Sequence, residues 1–163
     1  MDTMTKEQRH RCMAHNKSKD TGPEMAVRRL LFALGFRYRL HAKELPGKPD
    51  IVFRKQRKVI FVHGCFWHGH NCTTAGRVPK ANGAFWRKKF ARNKERDAKT
   101  LRLLWETGWE VLVVWECETK DTDHLRNRLL DFLKPPSFYA RTVYEDLETL
   151  YAAETNDAYD GEQ

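Results

Sequence analysis

The spacing of apolar residues along the chain predicts three helices. The first begins at Thr21-Gly22-Pro23-Glu24, which has the form of a capping box, and continues with apolar residues at helical spacing as far as Gly35. A second helical pattern runs from about residue 84 to residue 106 and ends before Gly108. A third covers roughly residues 124–133 and closes the series ahead of two prolines.

Four further segments have the composition of β-strands. Three of them, residues 36–40, 49–54 and 58–63, are rich in β-branched and aromatic residues, and the gap between the last two is short enough for a hairpin turn. Residues 109–115, WEVLVVW, form a nearly continuous apolar run of the kind found in strands buried on both faces. The resulting order αβββαβα predicts an α/β fold, a single domain with a mixed central sheet flanked by helices.

Charge divides the chain into two parts. The 163 residues have a formal net charge of +8, but the segment from residue 137 to residue 163 holds seven acidic residues and one basic residue. Residues 1–136 therefore carry a net charge of +14, and we expect them to form the single folded domain with 137–163 as an acidic C-terminal tail. A basic surface of this strength favours a polyanionic partner, nucleic acid before all others, although a merely solvated cationic surface is the alternative.

The sequence argues against a membrane protein and against a secreted protein. No apolar run approaches the ~18 residues of a membrane span, and the N-terminus lacks the pattern of a signal peptide. We therefore expect a cytoplasmic, nucleoid-associated protein. In that reducing compartment the four cysteines, Cys12, Cys65, Cys72 and Cys117, are expected to be thiols or metal ligands.

A carboxylate site is suggested by Asp50. Asp50 follows Pro49 at the start of one predicted strand and His63 ends the next, so a hairpin would bring them to the same region. A carboxylate beside a backbone carbonyl and water suits Mg²⁺, although Pro-Asp is also a common device for starting a strand. Two roles are open for Glu24: it completes the helix cap, or it projects toward the metal at Asp50. The sequence favours the cap.

A second set of residues has ligands for a softer metal. Cys65, His70, Cys72 and the more distant Cys117 make a four-ligand set of the kind that structural Zn²⁺ prefers. The spacing leaves His68 as an equal alternative to His70. Cys12 is expected to be an ordinary thiol.

Two histidines remain beside Asp50 if His70 binds zinc. Of His63 and His68, one could take a proton from water while the other, protonated, stabilises phosphate charge, which suits phosphodiester hydrolysis. The alternative is that both are supporting or surface histidines.

Aromatic and basic residues complete the candidate chemistry. Phe66 and Trp67 lie among glycines, cysteines and histidines, where packing alone does not explain them. Seven basic residues of the second helix cannot all be core: Arg87, Lys88, Lys89, Arg92, Lys94, Arg96 and Lys99. Asn93, on the same helix, could hydrogen-bond a phosphate or a base edge, and Asn16 and Lys17 are candidates for reading bases.

Several motifs together resemble one family. LPGKPDIVF, FVHGCFWHGHNC, FW at 85–86, NKERD at 93–97 and GWEVLVVWEC at 108–117 occur in the order and with the gaps of the very-short-patch mismatch-repair endonucleases, a branch of the PD-(D/E)XK nuclease superfamily. The resemblance covers about residues 5–134, including KSKDTGPE before the first helix. It implies a restriction-endonuclease-like fold and a strand-specific nick beside a T:G mismatch, the lesion left when 5-methylcytosine deaminates.

The resemblance also assigns roles to residues. Asp50 becomes the Mg²⁺ ligand, with Val62 contributing its backbone carbonyl. His68 becomes the general base, with His63 assisting at the phosphate and Glu24 a supporting catalytic-site residue. The implied zinc ligands are Cys65, His70, Cys72 and Cys117. Gly69 and Asn71 stand where some members have histidine.

The same family suggests how the protein meets DNA. Phe66, Trp67 and Trp86 would form a wedge that enters the base stack beside the mismatch, where unstacking costs the least free energy. Packing of Phe66 and Trp67 against Trp105 or Trp115 is the alternative. Arg92, Asn93 and Arg96 would contact DNA.

The expected partner is double-stranded DNA with a T:G mismatch, joined by general mismatch-repair proteins and a repair polymerase, with the enzyme acting as a monomer. Two other functions stay open: a zinc-stabilised DNA-binding module without catalysis, and a nuclease of this fold with another DNA specificity.

Overall fold

A computed structural model describes residue 17 and residues 19–75 and 82–134 of the chain. The predictions for Cys12, Asn16 and the acidic segment 137–163 lie outside the described residues. The helices within these ranges are α1 (Gly22–Ala33), α2 (Gly83–Glu106) and α3 (Thr122–Leu133). The strands are β1 (Arg39–Leu40), β2 (Ile51–Phe53), β3 (Lys58–His63) and β4 (Glu110–Trp115).

The four strands form one mixed sheet in the order β1-β2-β3-β4. The pairs β1–β2 and β2–β3 are antiparallel, whereas β3 and β4 run parallel from Lys58 opposite Glu110 to His63 opposite Trp115. Helix α2 makes the crossover that a parallel pair requires. The α/β class and the order αβββαβα are confirmed.

The first strand is shorter than the sequence predicts. Arg39 pairs with Val52, and β2 ends one residue later, where a 3₁₀ turn begins at Arg54. Residues 36 and 37 would therefore fall opposite residues beyond the end of β2, and Phe36 and Tyr38 pack edge-on against the ring of Phe53, with centroids 6.2 and 6.1 Å away.

Helices cover both faces of the sheet. On one face, side chains of α1 and α3 pack with Ile51, Ile60, Leu112 and Val114. On the other, Leu101 and Leu104 of α2 pack against the alternate strand residues, Val52, Val59, Phe61, Val111 and Val113. Because both faces are buried, polar chemistry is confined to the strand ends.

Among the described helices, none is both long and apolar enough to cross a membrane.

Candidate active site and nucleic-acid interface

The candidate site lies where the parallel strands β3 and β4 end side by side. His63 is paired with Trp115 at the last register position, so the chain leaving β3 and the chain leaving β4 emerge together. Cys65 follows on one side and Cys117 on the other. Parallel pairing thus explains how residues 52 positions apart in sequence become neighbours.

The cysteines and one histidine form a compact cluster. One ligand atom from each of Cys65, His70, Cys72 and Cys117 lies within 4.8 Å of all the others. His70 Nδ1 is 3.7 Å from the Cys117 sulfur, and the His70 ring stacks on Trp115 with centroids 4.2 Å apart. His68 has a different partner, so the cluster includes His70 and resolves the alternative that spacing leaves open.

The chemistry of the cluster fits a metal ion. Tetrahedral zinc with bonds of ~2.0–2.3 Å needs ligand atoms roughly 3.3–3.8 Å apart, and the cluster comes close to this. Burial, together with hydrogen bonding to the neighbouring thiols, raises the pKa of Cys65 to about 12, and burial also raises the pKa of Cys117. Thiols crowded in a buried setting ionise when a cation is bound, so these residues can hold a metal.

A tight loop puts Asp50 in place. Gly47 has φ +71°, and a Cβ there would lie 2.2 Å from Thr100 Cγ2, so only glycine permits the loop to approach α2 so closely. Asp50 follows the buried Pro49, and its Oδ2 accepts a hydrogen bond of 2.7 Å from the Val62 amide.

The strand register places the Val62 carbonyl on the same side of β3 as Asp50. The N–H and C=O of a paired strand residue face the same neighbouring strand. Continuing the register of Ile51 with Ile60 sets Pro49 opposite Val62, and Pro49 has no N–H to donate. The Val62 carbonyl and Asp50 thus face the same gap at the sheet end.

Electrostatics at Asp50 favour a bound cation. Burial, with a smaller contribution from the nearby Glu24, raises the pKa of Asp50 to about 6 against the opposing effects of the Val62 amide, His41 and His68. A carboxylate that is destabilised by burial and by a second carboxylate gains from a cation between them. Oxygen ligands of this kind fit Mg²⁺.

Glu24 lies at the start of α1 and close to Asp50. Its amide donates to Thr21 Oγ1 at 3.4 Å, and its Oε2 accepts from the amide of Asp20, one residue before the helix cap, at 2.8 Å. The side chain is buried, and Oε1 lies 3.3 Å from His41 Nε2. Glu24 therefore closes the helix and also belongs to the charged group around Asp50.

His68 is oriented by a carboxylate. Its Nδ1 lies 2.5 Å from Asp97 Oδ2, and Asp97 is buried. Burial opposes the charged form of Asp97, but the hydrogen bond and charge of His68 outweigh it and lower the Asp97 pKa. An ionised Asp97 accepts a hydrogen bond from Nδ1–H of His68. The proton therefore stays on Nδ1, and Nε2 is the basic nitrogen of His68.

His63 is a buried, neutral ring. It stacks face to face on His68 with centroids 3.8 Å apart and planes 8° apart, and Trp115 meets its edge. Burial, reinforced by His68, lowers the pKa of His63 to about 3. Burial thus disfavours the protonated form that we considered for one of the two histidines. The stacking lets His63 support the His68 ring, and its assistance at the phosphate stays a prediction.

Sequence reasoning missed three of these contacts. Asp97 lies inside the NKERD motif but received no role, although an acidic residue at helical spacing from Leu101 and Leu104 points inward with them. His41, with φ +48°, reaches Glu24 through a loop conformation that the sequence pattern does not predict. Trp115 reads as a core residue and serves as a platform for the rings of His63 and His70.

The three proposed wedge residues come together. Phe66 lies 5.1 Å from both Trp67 and Trp86, ring centroid to ring centroid, and 5.4 Å from Phe90. All of these rings are half-buried. Trp115, considered as a packing partner for Phe66 and Trp67, instead contacts the rings of His63 and His70. Phe66 and Trp67 form an aromatic cluster with Trp86 of α2.

Cations surround this aromatic cluster. Lys89 Nζ lies 5.1 Å from the rings of both Trp67 and Trp86. An adjoining groove of about 580 Å³ is lined by Phe85, Lys88, Lys89, Arg92, Asn93 and Arg96. The predicted DNA contacts Arg92, Asn93 and Arg96 thus share one groove beside the rings.

A mixed sheet with a carboxylate and an oriented histidine at its strand ends, next to a basic groove, is an arrangement that suits an α/β nuclease acting on DNA. Comparison with known proteins agrees. The family described as DNA mismatch endonuclease Vsr matches residues 1–74.

Curated relatives extend the match over most of the chain. Type II nicking enzyme V.XorIIP of Xanthomonas oryzae pv. oryzae is 48% identical over 134 residues, which cover 82% of this chain and 98% of that protein. Type II nicking enzyme V.NmeAIP of Neisseria meningitidis is 48% identical over 78% of this chain and 91% of its own length. DNA mismatch endonuclease Vsr of Escherichia coli is 39% identical, covering 79% of this chain and 82% of that protein. The chain belongs to the Vsr family of DNA mismatch endonucleases.

Proposed function

We propose that this protein nicks one strand of double-stranded DNA beside a T:G mismatch and so initiates very-short-patch repair of deaminated 5-methylcytosine. The reaction is Mg²⁺-dependent hydrolysis of a phosphodiester bond. One observation carries the proposal: the Asp50 carboxylate and the His68–Asp97 pair lie at the same sheet end, beside an aromatic cluster and a basic groove.

In this mechanism His68 is the general base. Because Nδ1–H of His68 donates a hydrogen bond to Asp97, Nε2 is free to take a proton from water as the water oxygen attacks phosphorus. The leaving oxygen departs with the electron pair of the broken P–O bond and takes a proton from solvent. Asp97 stabilises the imidazolium that results. His63 keeps the His68 ring in its plane by stacking.

Asp50 and the Val62 carbonyl would hold Mg²⁺, with Glu24 nearby. When bound, the ion would supply charge stabilisation to the phosphate and would lower the pKa of the attacking water. Cys65, His70, Cys72 and Cys117 would hold Zn²⁺ as a structural ion in the second site.

The aromatic cluster gives the preference for a mismatch. Phe66, Trp67 and Trp86 part the base stack, and this costs least where pairing is already faulty. Arg92 and Arg96 contact phosphates, with Asn93 in the same groove. Loop residues 66–68 thus carry both recognition and the base.

The remaining parts of the proposal concern the whole protein. Residues 1–136 form the nuclease unit and 137–163 an acidic tail. The enzyme acts as a cytoplasmic, nucleoid-associated monomer, because one asymmetric lesion needs one cut, and it hands the nick to mismatch-repair proteins and a repair polymerase.

A nicking assay tests the activity. Two duplexes differing only in one T:G pair in a methylation-type context are incubated with Mg²⁺ or with EDTA. We expect a Mg²⁺-dependent nick beside the mismatched T, and a loss of about 10²- to 10⁴-fold in single-turnover rate for His68→Ala or Asp50→Ala.

His124→Ala is the matched control, since His124 is an exposed histidine on α3. Binding of both duplexes without any nick would favour the zinc-stabilised DNA-binding module. Equal cutting of both duplexes would favour a nuclease of another specificity. Two of the relatives are named type II nicking enzymes, which is consistent with that alternative.

A further inference from the structure

The loop that carries the wedge and the general base docks on one stripe of α2. Its contacts on the helix are Trp86, Phe90, Asn93, Lys94 and Asp97, residues spaced three or four apart or adjacent within a turn. At the point of closest approach Gly69 has φ +63°, and a Cβ there would lie 3.4 Å from the Phe90 Cβ and 3.2 Å from Lys94 Cε. The loop backbone itself therefore rests on the helix.

One hydrogen bond fixes the loop backbone to the helix. Within the loop, the carbonyls of Gly64, Cys65 and Phe66 each accept an amide three to five residues further along. The next carbonyl, that of Trp67, accepts instead from Asn93 Nδ2 at 2.7 Å. Asn93 is half-buried, which protects this bond from competition by water.

The bond acts at a critical peptide. Trp67 is a wedge residue and the next residue, His68, is the general base, so the peptide between them sets the direction of both side chains. Four residues along α2 from Asn93, Asp97 fixes His68 Nδ1 at 2.5 Å. Two hydrogen bonds one helical turn apart thus hold consecutive loop residues in a single orientation.

We propose that Asn93 is a positioning residue, which locks the peptide after Trp67 so that the aromatic wedge and His68 are held in one rigid frame by α2. The inference rests on the proposed function and deepens it. A misplacement of about 1 Å at the reacting atoms costs on the order of 10²-fold in rate, so a bond that holds the loop backbone affects chemistry as well as recognition.

The competing account is that Asn93 acts only on DNA, as a phosphate or base contact. The two accounts differ in the protein without DNA, where a DNA contact has no effect on the loop. Hydrogen exchange of the loop amides separates them, because the amides of His68, Gly69 and His70 are the donors of the turn bonds.

The experiment compares the full-length wild type, Asn93→Ala and Asn93→Gln without DNA by hydrogen-exchange mass spectrometry. We expect peptides covering residues 64–72 to exchange about fivefold faster in Asn93→Ala, with partial recovery in Asn93→Gln, which keeps a carboxamide. Glu95→Ala is the matched control, since Glu95 is exposed on the same helix.

Kinetics then test the coupling. At saturating T:G duplex, where a change in DNA affinity does not affect the measured rate, Asn93→Ala should lower the single-turnover nicking rate by about 10- to 100-fold. A loss of DNA affinity alone, with unchanged loop exchange, would overturn the inference. Faster exchange with a normal nicking rate would also overturn it. If the wild type nicks no duplex, the proposed function fails, and the exchange result still decides whether Asn93 holds the loop.

Discussion

At the scale of single residues, the site depends on how each side chain is held. His68 has a carboxylate at one ring nitrogen and a stacked ring on its face, and both partners are buried. His63, by contrast, has a buried Nδ1 without a hydrogen-bond partner among the described residues. Burial keeps His63 neutral, so the two adjacent imidazoles differ in chemistry although their residue types are the same.

Replacing Asp97 by asparagine tests the orientation of His68. An amide donor facing Nδ1 would move the ring proton to Nε2 and remove the basic nitrogen, and no amide can stabilise the imidazolium as a carboxylate does. We expect a loss of about 10²- to 10⁴-fold in single-turnover rate with little change in Kd for DNA. Glu95→Gln, an exposed acid on the same helix, is the control.

The same substitution has a pH signature in stability. Folding lowers the pKa of Asp97, so its ionised form stabilises the protein above the unfolded-state pKa of about 3.9, and this contribution disappears as pH falls through the folded pKa. The Tm difference between wild type and Asp97→Asn should therefore be largest near neutral pH and shrink in acid. A constant difference down to about pH 3 would contradict an ionised Asp97.

At the scale of elements, local patterns located the helices and the paired strands but not the contacts between them. Thr21 and Gly35 bracket α1 as expected, and β3 matches its predicted limits. The first strand shortens because its partner turns at Arg54, a property of the pair and not of either segment.

The same distinction explains the site. The four residues of the Cys/His cluster were identifiable by type, but the choice of His70 over His68 came from the family resemblance and from the loop's conformation, in which His68 turns to Asp97. Asp97 itself, 29 residues away, is brought to His68 by helix packing. Long-range contacts of this kind leave only a faint pattern in one sequence.

Parallel pairing of β3 and β4 predicts how the metal cluster responds to mutation. Cys117, at the end of β4, ties the loop after β3 to the neighbouring strand, so Cys117→Ser should release zinc to a chelator at least about 100-fold faster than wild type. Because the loop would no longer be tied to β4, the Cys117→Ser protein should also lose nicking activity. Cys12→Ser is the matched control because Cys12 is expected from the sequence to have no ligand role, and similar zinc release from both variants would contradict the four-ligand assignment.

At the scale of the whole molecule, the sheet end with the site and the end of α3 lie at opposite ends of β3. Lys58, the first residue of β3, donates hydrogen bonds to the carbonyls of Phe132 and Lys134, whereas His63, the last, faces the site. Six strand residues span roughly 20 Å. Lys134, the last described residue, therefore lies roughly 20 Å from the catalytic residues.

This distance predicts how the acidic segment affects DNA binding. Removing residues 137–163 raises the net charge from +8 to +14, but charges about 20 Å apart are felt across water only when the Debye length is comparable. A chain ending at residue 136 should bind duplex DNA severalfold more tightly at ~10 mM salt, where the Debye length is about 30 Å, and equally at ~150 mM, where it is about 8 Å. Its Tm should stay within about 2 °C of wild type, because Lys58 already anchors the end of α3.

A full-length variant with its seven acidic tail residues changed to asparagine or glutamine separates charge from chain length. It should behave like the truncated protein at both salt concentrations. Tighter binding that persists at ~150 mM salt would instead require the acidic segment to lie on the basic groove itself, within a Debye length of Arg92 and Arg96. A large fall in Tm on truncation would mean that the nuclease unit extends beyond residue 136, and the boundary proposed from charge would have to move.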